Sequence, residues 1–239
     1  MVLNLDLEER SVALTRRYTA IKDYFAGSNL GHQGYARLVV HGEHHGFSDS
    51  ALIKAFDEAR ILYPLRQGIH DVVTADLAGA HLLSGRPLAD VMADCCFTYG
   101  LLSDANGFKS SVQKYLAANV VLNNLNISTL LETYSNIATG FQEMGLQIRA
   151  LALAVLAVNH VSSDVEIADL SKAYFGISKI LLEKTNQASL ARLATVLCKE
   201  QLSPREMNQA YLAVKRAVPK TDKMNYSATV ILVEGLFPR

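Results

Sequence analysis

Two apolar markers recur along this chain with a shared step, and that periodicity limits the fold more than any other feature. The first marker is a pair ending in alanine: Tyr35-Ala36, Leu77-Ala78, Leu116-Ala117, Leu151-Ala152, Leu190-Ala191 and, more loosely, Ser227-Ala228. Successive alanines lie 42, 39, 35, 39 and 37 residues apart, by subtraction of their numbers. The second marker is one aromatic near the middle of a more amphipathic stretch: Tyr18, Phe56, Phe97, Tyr134, Tyr174 and Tyr211, at steps of 38, 41, 37, 40 and 37. A near-constant step of about 20–50 residues marks a repeat array, in which each unit buries its apolar face against the next.

Both kinds of segment read as helices. The stretch Leu151 to Val161 is apolar nearly all the way round, which predicts a helix buried on most sides. The aromatic-bearing segments, at 50–63, 87–103, 129–144, 164–183 and 204–217, are amphipathic instead. A first helix is predicted over 5–26, with Leu7, Val12, Leu14, Tyr18, Ile21 and Phe25 forming one stripe. Ser163 with Glu166, Thr129 with Glu132 and Ser203 with Glu206 have capping-box spacing, and Pro204 sits where a helix loses nothing by its missing N–H. Stops are expected at Gly27-Ser28-Asn29, Pro64, Asn106-Gly107, Gly145 and just before Pro219. Trp is absent and Pro numbers only 5, which favours helices over a β-sandwich.

These readings predict an all-α chain: about twelve antiparallel helices in stacked hairpins, filling residues 1–239 as a single domain with no linker. The paired helices, alanine-rich inner packing and step near 38 resemble α-solenoids of the HEAT and tetratricopeptide sort. The Trp, Leu-Gly, Tyr, Ala, Phe, Pro pattern of the tetratricopeptide repeat is not present as such, and no regular HEAT-type proline kink is seen. The resemblance implies a right-handed superhelical arc that serves as a scaffold for a protein or peptide partner. About 38 residues per pair is short for a closed α/α ring, so an open arc is expected. In the alternative, six pairs close around a central cavity and form an enzyme or a small-molecule or metal binder, with the His41–His45 loop near its mouth. The last apolar segment, around Ser227 to Gly235, has no amphipathic partner after it, so contact with another chain, including a second copy, is expected there.

Charge and cysteine usage narrow the partners. Lys+Arg 23 balances Asp+Glu 23, leaving no global positive field for nucleic acid or an anionic membrane. Cys95, Cys96 and Cys198 are an odd number without CxxC spacing, which fits a reducing compartment. The first ten residues carry acids where a signal peptide needs a basic start and an apolar run, so a cytoplasmic protein is expected.

No residue is assigned a catalytic, cofactor or metal role from sequence. The densest polar cluster is His41-Gly42-Glu43-His44-His45-Gly46. His41 and His45 are spaced to share a metal on a helix, but the two-histidine zinc motif needs Glu directly after the first His, and here Gly42 intervenes. The two glycines predict a helix running out into a solvated loop. His70, His81 and His160 read as partly buried, hydrogen-bonded histidines, and Cys95 and Cys96 as core filler beside Phe97. The basic residues Arg10, Arg16, Arg17 and Lys22 read as a paired, solvated face. Lys215, Arg216, Lys220 and Lys223 form a basic turn. Phosphate-binding glycine loops and nucleophile-elbow motifs are absent.

Overall fold

The computed structural model describes residues 2–26, 31–62, 71–106, 108–163, 165–181, 186–219, 222 and 224–237. Within them the chain forms twelve helices and no strand. They are α1 (Val2–Tyr24), α2 (His32–His45), α3 (Asp49–Leu62), α4 (Asp71–Ser84), α5 (Leu88–Asn106) and α6 (Ser110–Asn123). They continue with α7 (Ile127–Glu143), α8 (Ala150–Ser163), α9 (Ile167–Leu181), α10 (Gln187–Lys199), α11 (Pro204–Ala217) and α12 (Tyr226–Gly235). The aromatic-bearing segments become the odd-numbered helices and the alanine-rich ones the even-numbered helices. No described helix is long and apolar enough to cross a membrane.

The even-numbered helices pack side by side in chain order, α2 on α4, α4 on α6, α6 on α8, α8 on α10 and α10 on α12. The array does not stay open. The last inner helix, α12, packs against the first, α2, and in the outer layer α1 packs against α11. Six hairpins therefore close into a ring, with an inner circle of even helices and the odd helices around it. This corrects the expected open arc. The physical reason lies in the inner helices themselves: α12 buries Ala228 through Leu236, and α2 buries most of Gly34 to Gly42. Neither end offers the polar outer face that a terminal repeat needs, so each end covers the other. The cover expected for α12 is supplied by α2 and α10 of the same chain.

The marker alanines define the inner packing. Ala36, Ala78, Ala117, Ala152, Ala191 and Ala228 are all fully buried. On α8, Ala154 and Ala157 are fully buried as well. Small side chains at these points allow each inner helix two inner neighbours and an outer one.

The aromatic marker holds at Tyr18, Phe56, Tyr174 and Tyr211, all buried, and Tyr134 is half-buried against Phe108. Phe97 departs from it, being 69% exposed. The core position in α5 belongs to fully buried Cys95, which lies 39 residues from both Phe56 and Tyr134 by subtraction. A thiol replaces a ring there, and the nearest aromatic is not its equivalent.

Caps were legible in part. Ser203 and Glu206 form the reciprocal capping box, with Pro204 opening α11. Asn126, not Thr129, caps α7, and its side chain accepts from the Thr129 amide. Ser163 is the last residue of α8 and its hydroxyl donates to the Asn159 carbonyl, so the expected box with Glu166 does not form. Gly145, at φ 71°, ends α7. The expected stops at Gly27-Ser28-Asn29, Pro64 and Gly107 lie outside the described residues.

Candidate functional site

Helices in alternating hairpins leave all six inner helices parallel, so the ring has one mouth lined by their N-termini and another by C-terminal turns. Between the mouths, on the axis, sits a layer of ionisable side chains. Arg37 of α2 donates through Nε to Asp76 Oδ1 of α4 (2.6 Å) and through Nη1 to Glu234 Oε2 of α12 (3.0 Å). Arg192 of α10 donates through Nη1 to both Glu234 oxygens (3.1 and 3.3 Å). His41 donates through Nε2 to Asp76 Oδ1 (3.0 Å). Tyr115 of α6 completes the layer, its ring 5.7 Å from the Arg192 guanidinium carbon.

The layer is deeply buried: Asp76 is fully buried and the Arg37, Arg192 and Glu234 side chains are each 11% exposed. Burial alone would raise the Asp76 pKa, but the Arg37 guanidinium and the His41 bond hold the carboxyl well below its usual range. Glu234 is lowered too, as Arg192 and Arg37 overcome its desolvation. Burial works against the charge on Arg37 and Arg192, and the two carboxylates outweigh it, so both arginines are raised. The four groups are therefore ionised together, two of each sign. Burial raises the Tyr115 phenol, which stays protonated and able to donate.

A cavity lies on each side of this layer. The one at the C-terminal mouth is small, about 80 Å³, and is lined among others by Arg37, His41, His44, Lys199 and Glu234. The one at the N-terminal mouth is about 300 Å³. It takes lining residues from the first turns of all six inner helices, including Gln33, Val72, Ser111, Leu151, Gln187 and Ser227. Deeper, it is walled by Val73, Ala152, Val155 and Ile231, with Tyr115 and Arg192 shared with the small cavity. Its described lining residues include Arg149 and Arg192 and no carboxylate.

The histidine cluster does not form a solvated loop. His41, His44 and His45 are all in α2, which continues through Gly42 and ends at Gly46 in the left-handed conformation (φ 70°). His41 is 2% exposed. Its ring needs Gly79 of α4: a Cβ there would stand 2.8 Å from His41 Cε1. His44 Nε2 donates to the Glu234 carbonyl at 3.0 Å, and His45 stacks on His41 with ring centroids 6.0 Å apart. Among the described residues no group of three or more His, Cys, Asp or Glu side chains is placed to hold a metal ion.

His81 and His160 are partly buried and hydrogen-bonded, as read from sequence. Each uses Nδ1 on the carbonyl five residues on, Arg86 (2.6 Å) and Val165 (2.5 Å), finishing α4 and α8 alike. His70 lies outside the described residues. Burial pushes the Cys96 thiol up and raises Cys198 to about 11, conditions opposite to those of a reactive thiolate. Arg17 pairs not along α1 but with Glu43 and Asp49, and its guanidinium lies against Gly42. Lys22 pairs with Asp222 at 2.7 Å. Lys220 and Lys223 are outside the described residues.

Arg37, Asp76, Tyr115, Arg192 and Glu234 were missed by sequence reasoning. Their signal was a registered polar residue inside otherwise apolar inner helices, visible only once the repeats are aligned: Arg37, Asp76, Tyr115 and Arg192 each lie one or two residues from, or just before, the alanine marker. No family model, curated protein or solved structure matches this chain.

Proposed function

We propose that the protein binds a small molecule inside the ring, in the cavity of about 300 Å³ at the N-terminal mouth. The observation that carries this reading is the buried charged layer beside that cavity. Replacing a buried ion network with apolar side chains is often neutral or stabilising by about 1–4 kcal/mol, so such a network is poorly explained by stability alone. Strongly perturbed groups at the floor of an enclosed recess are what a binding site supplies. Apolar walls with a few converging polar groups, and a volume near the low end of ligand pockets, agree with this. No reaction is assigned.

The test is a fragment screen by thermal shift, repeated on Ser111→Trp. Ser111 stands in the first turn of α6 at the cavity lining, so an indole there should block entry without touching the deep walls. Ligands that stabilise the parent and not the variant support the reading. A set of ligands indifferent to the block sinks it.

A second reading, docking of a protein or peptide partner, is favoured by Phe97 (69% exposed) and Leu101 (44% exposed), one turn apart on α5. Its measurement is a pull-down from native extract with the parent and with Phe97→Ser. A partner held equally by both removes the α5 surface from consideration.

A further inference from the structure

The donors left over in the charged layer define the chemistry of the ligand. Arg192 spends only Nη1 on Glu234. Its Nε and Nη2 groups make no hydrogen bond to any described residue, and neither does the hydroxyl of Tyr115, a side chain that is 7% exposed. These atoms are not sealed in the core. The sealed, unpartnered polar atoms among the described residues are Asp76 Oδ2 and the Tyr211 hydroxyl. The Arg192 and Tyr115 donors therefore open on to the axial space that both residues line. Nε and Nη2 form one edge of the planar guanidinium fork, the geometry that takes a carboxylate through two parallel bonds.

The surroundings select the rest of the ligand. Among its described lining residues the larger cavity holds a second cation, Arg149, whose side chain has no ion pair with a described residue, and no carboxylate. Six parallel helices begin around it, so their dipoles add positive potential at that end. Its deep wall of Val73, Ala152, Val155 and Ile231 is hydrocarbon. A fully hydrated dianion such as phosphate would leave that wall uncovered.

We propose that the cavity takes a small organic monocarboxylate. Its carboxylate sits on the Nε–Nη2 edge of Arg192 with the Tyr115 hydroxyl as a third donor, and its aliphatic body lies against Val73, Val155 and Ile231. The proposal rests on the small-molecule reading above and adds the ligand class.

The experiment is isothermal titration with four probes: hexanoate, hexanamide, hexan-1-ol and inorganic phosphate. Each is titrated into the parent, Tyr115→Phe, Arg192→Lys and Ser111→Trp. Tyr115→Phe removes one hydroxyl that has no partner among the described residues and leaves the ring, so the fold should persist. Arg192→Lys keeps a cation for Glu234 and removes the fork, with circular dichroism and melting temperature checking its fold. Hexanoate is expected to bind the parent at one site and to bind each of the first two variants about tenfold more weakly, the loss of about one charge-assisted hydrogen bond. Hexanamide, hexan-1-ol and phosphate are expected to bind far more weakly than hexanoate. Hexan-1-ol or hexanamide binding as well as hexanoate, and blocked by Ser111→Trp, overturns the carboxylate and leaves the small-molecule cavity standing. Phosphate binding more tightly than hexanoate overturns it as well, as does hexanoate binding unchanged in both Tyr115→Phe and Arg192→Lys. Failure of all four probes on the parent overturns the carboxylate, and the fragment screen on the parent and Ser111→Trp then decides the cavity reading separately.

Discussion

Arg37 Nη1 and Glu234 Oε2 meet at 3.0 Å across 197 residues, joining the first inner helix to the last. Glu234 also holds Arg192, so one carboxylate ties α2, α10 and α12 at the seam where the ring closes. Both partners of each Glu234 pair are 11% exposed, whereas the Arg216–Glu8 pair between α11 and α1 is largely exposed, which makes Glu234 the residue on which closure can be tested.

Glu234→Ala should be among the most costly single changes in the chain. It leaves Arg192 without its carboxylate in a buried site, and breaking such a pair costs about 3–5 kcal/mol. Arg216→Ala, which removes an exposed pair with Glu8 at 3.6 Å, should stay within about 0.5 kcal/mol of the parent. Denaturant midpoints of the two variants check this. Equal midpoints would mean the seam does not depend on Glu234.

Solution scattering tests closure directly. A compact chain of this length has an expected radius of gyration of about 18 Å, from the general scaling with residue number. The ring should fall near that value. A value well above it would indicate that α12 and α2 separate in solution.

Why closure was not legible, while the twelve helices were, follows from what each depends on. Helices depend on local periodicity: the buried set Leu130, Thr133, Ile137 and Phe141 of α7 has helical spacing in the sequence itself. Closure depends on a small turn between successive hairpins, accumulated six times, and no single residue encodes it. The hint was present in the apolar run Ala228 to Val233 of α12, which needs cover on most sides. The charged layer was hidden for a related reason. Arg37, Asp76, Arg192 and Glu234 come from four helices, and no window of sequence contains two of them within hydrogen-bonding reach. His41 drew attention as a cluster member, although its partner is Asp76, 35 residues away.

Acid should loosen the ring. Asp76 and Glu234 both titrate below their usual range in the folded protein. A carboxylate depressed on folding contributes stability that is present above its unfolded pKa, near 4, and is lost as pH falls toward the folded value. Stability should therefore decline from about pH 4 downward. Asp76→Asn should be less stable than the parent at neutral pH and should lose part of the acid slope. Denaturation free energies at a series of pH values measure both. A slope unchanged by Asp76→Asn would detach the acid response from this layer.

Two helical glycines offer a matched pair. Alanine normally stabilises a helix interior over glycine by about 0.5–1 kcal/mol. Gly140 in α7 has nothing within 4 Å of a built Cβ, so Gly140→Ala should show that gain. Gly79 in α4 faces the His41 ring at 2.8–3.0 Å, so Gly79→Ala should instead destabilise, and adding His41→Ala should relieve part of the loss. Thermal or chemical denaturation of the variants decides. A gain at both glycines would mean that His41 is free to move aside.

The inner packing itself is tested at Ala154. This residue is fully buried on α8, which lies between α6 and α10 with α7 outside it. A leucine there adds methylenes where helix axes approach closely, and overpacking typically costs about 1–3 kcal/mol. Ala26 lies in the turn after α1 and is exposed, so Ala26→Leu should change stability by no more than about 0.5 kcal/mol. Both variants are compared with the parent by denaturant midpoints at equal slope, so that a change in the unfolded state is not mistaken for one in packing. The contrast separates two structures. In a ring of mutually packed inner helices the Ala154 face has no free side to expand into, and the full cost appears. If the hairpins instead slide apart to admit the leucine, the loss at Ala154 falls to that at Ala26, and α8 is not held between its two inner neighbours.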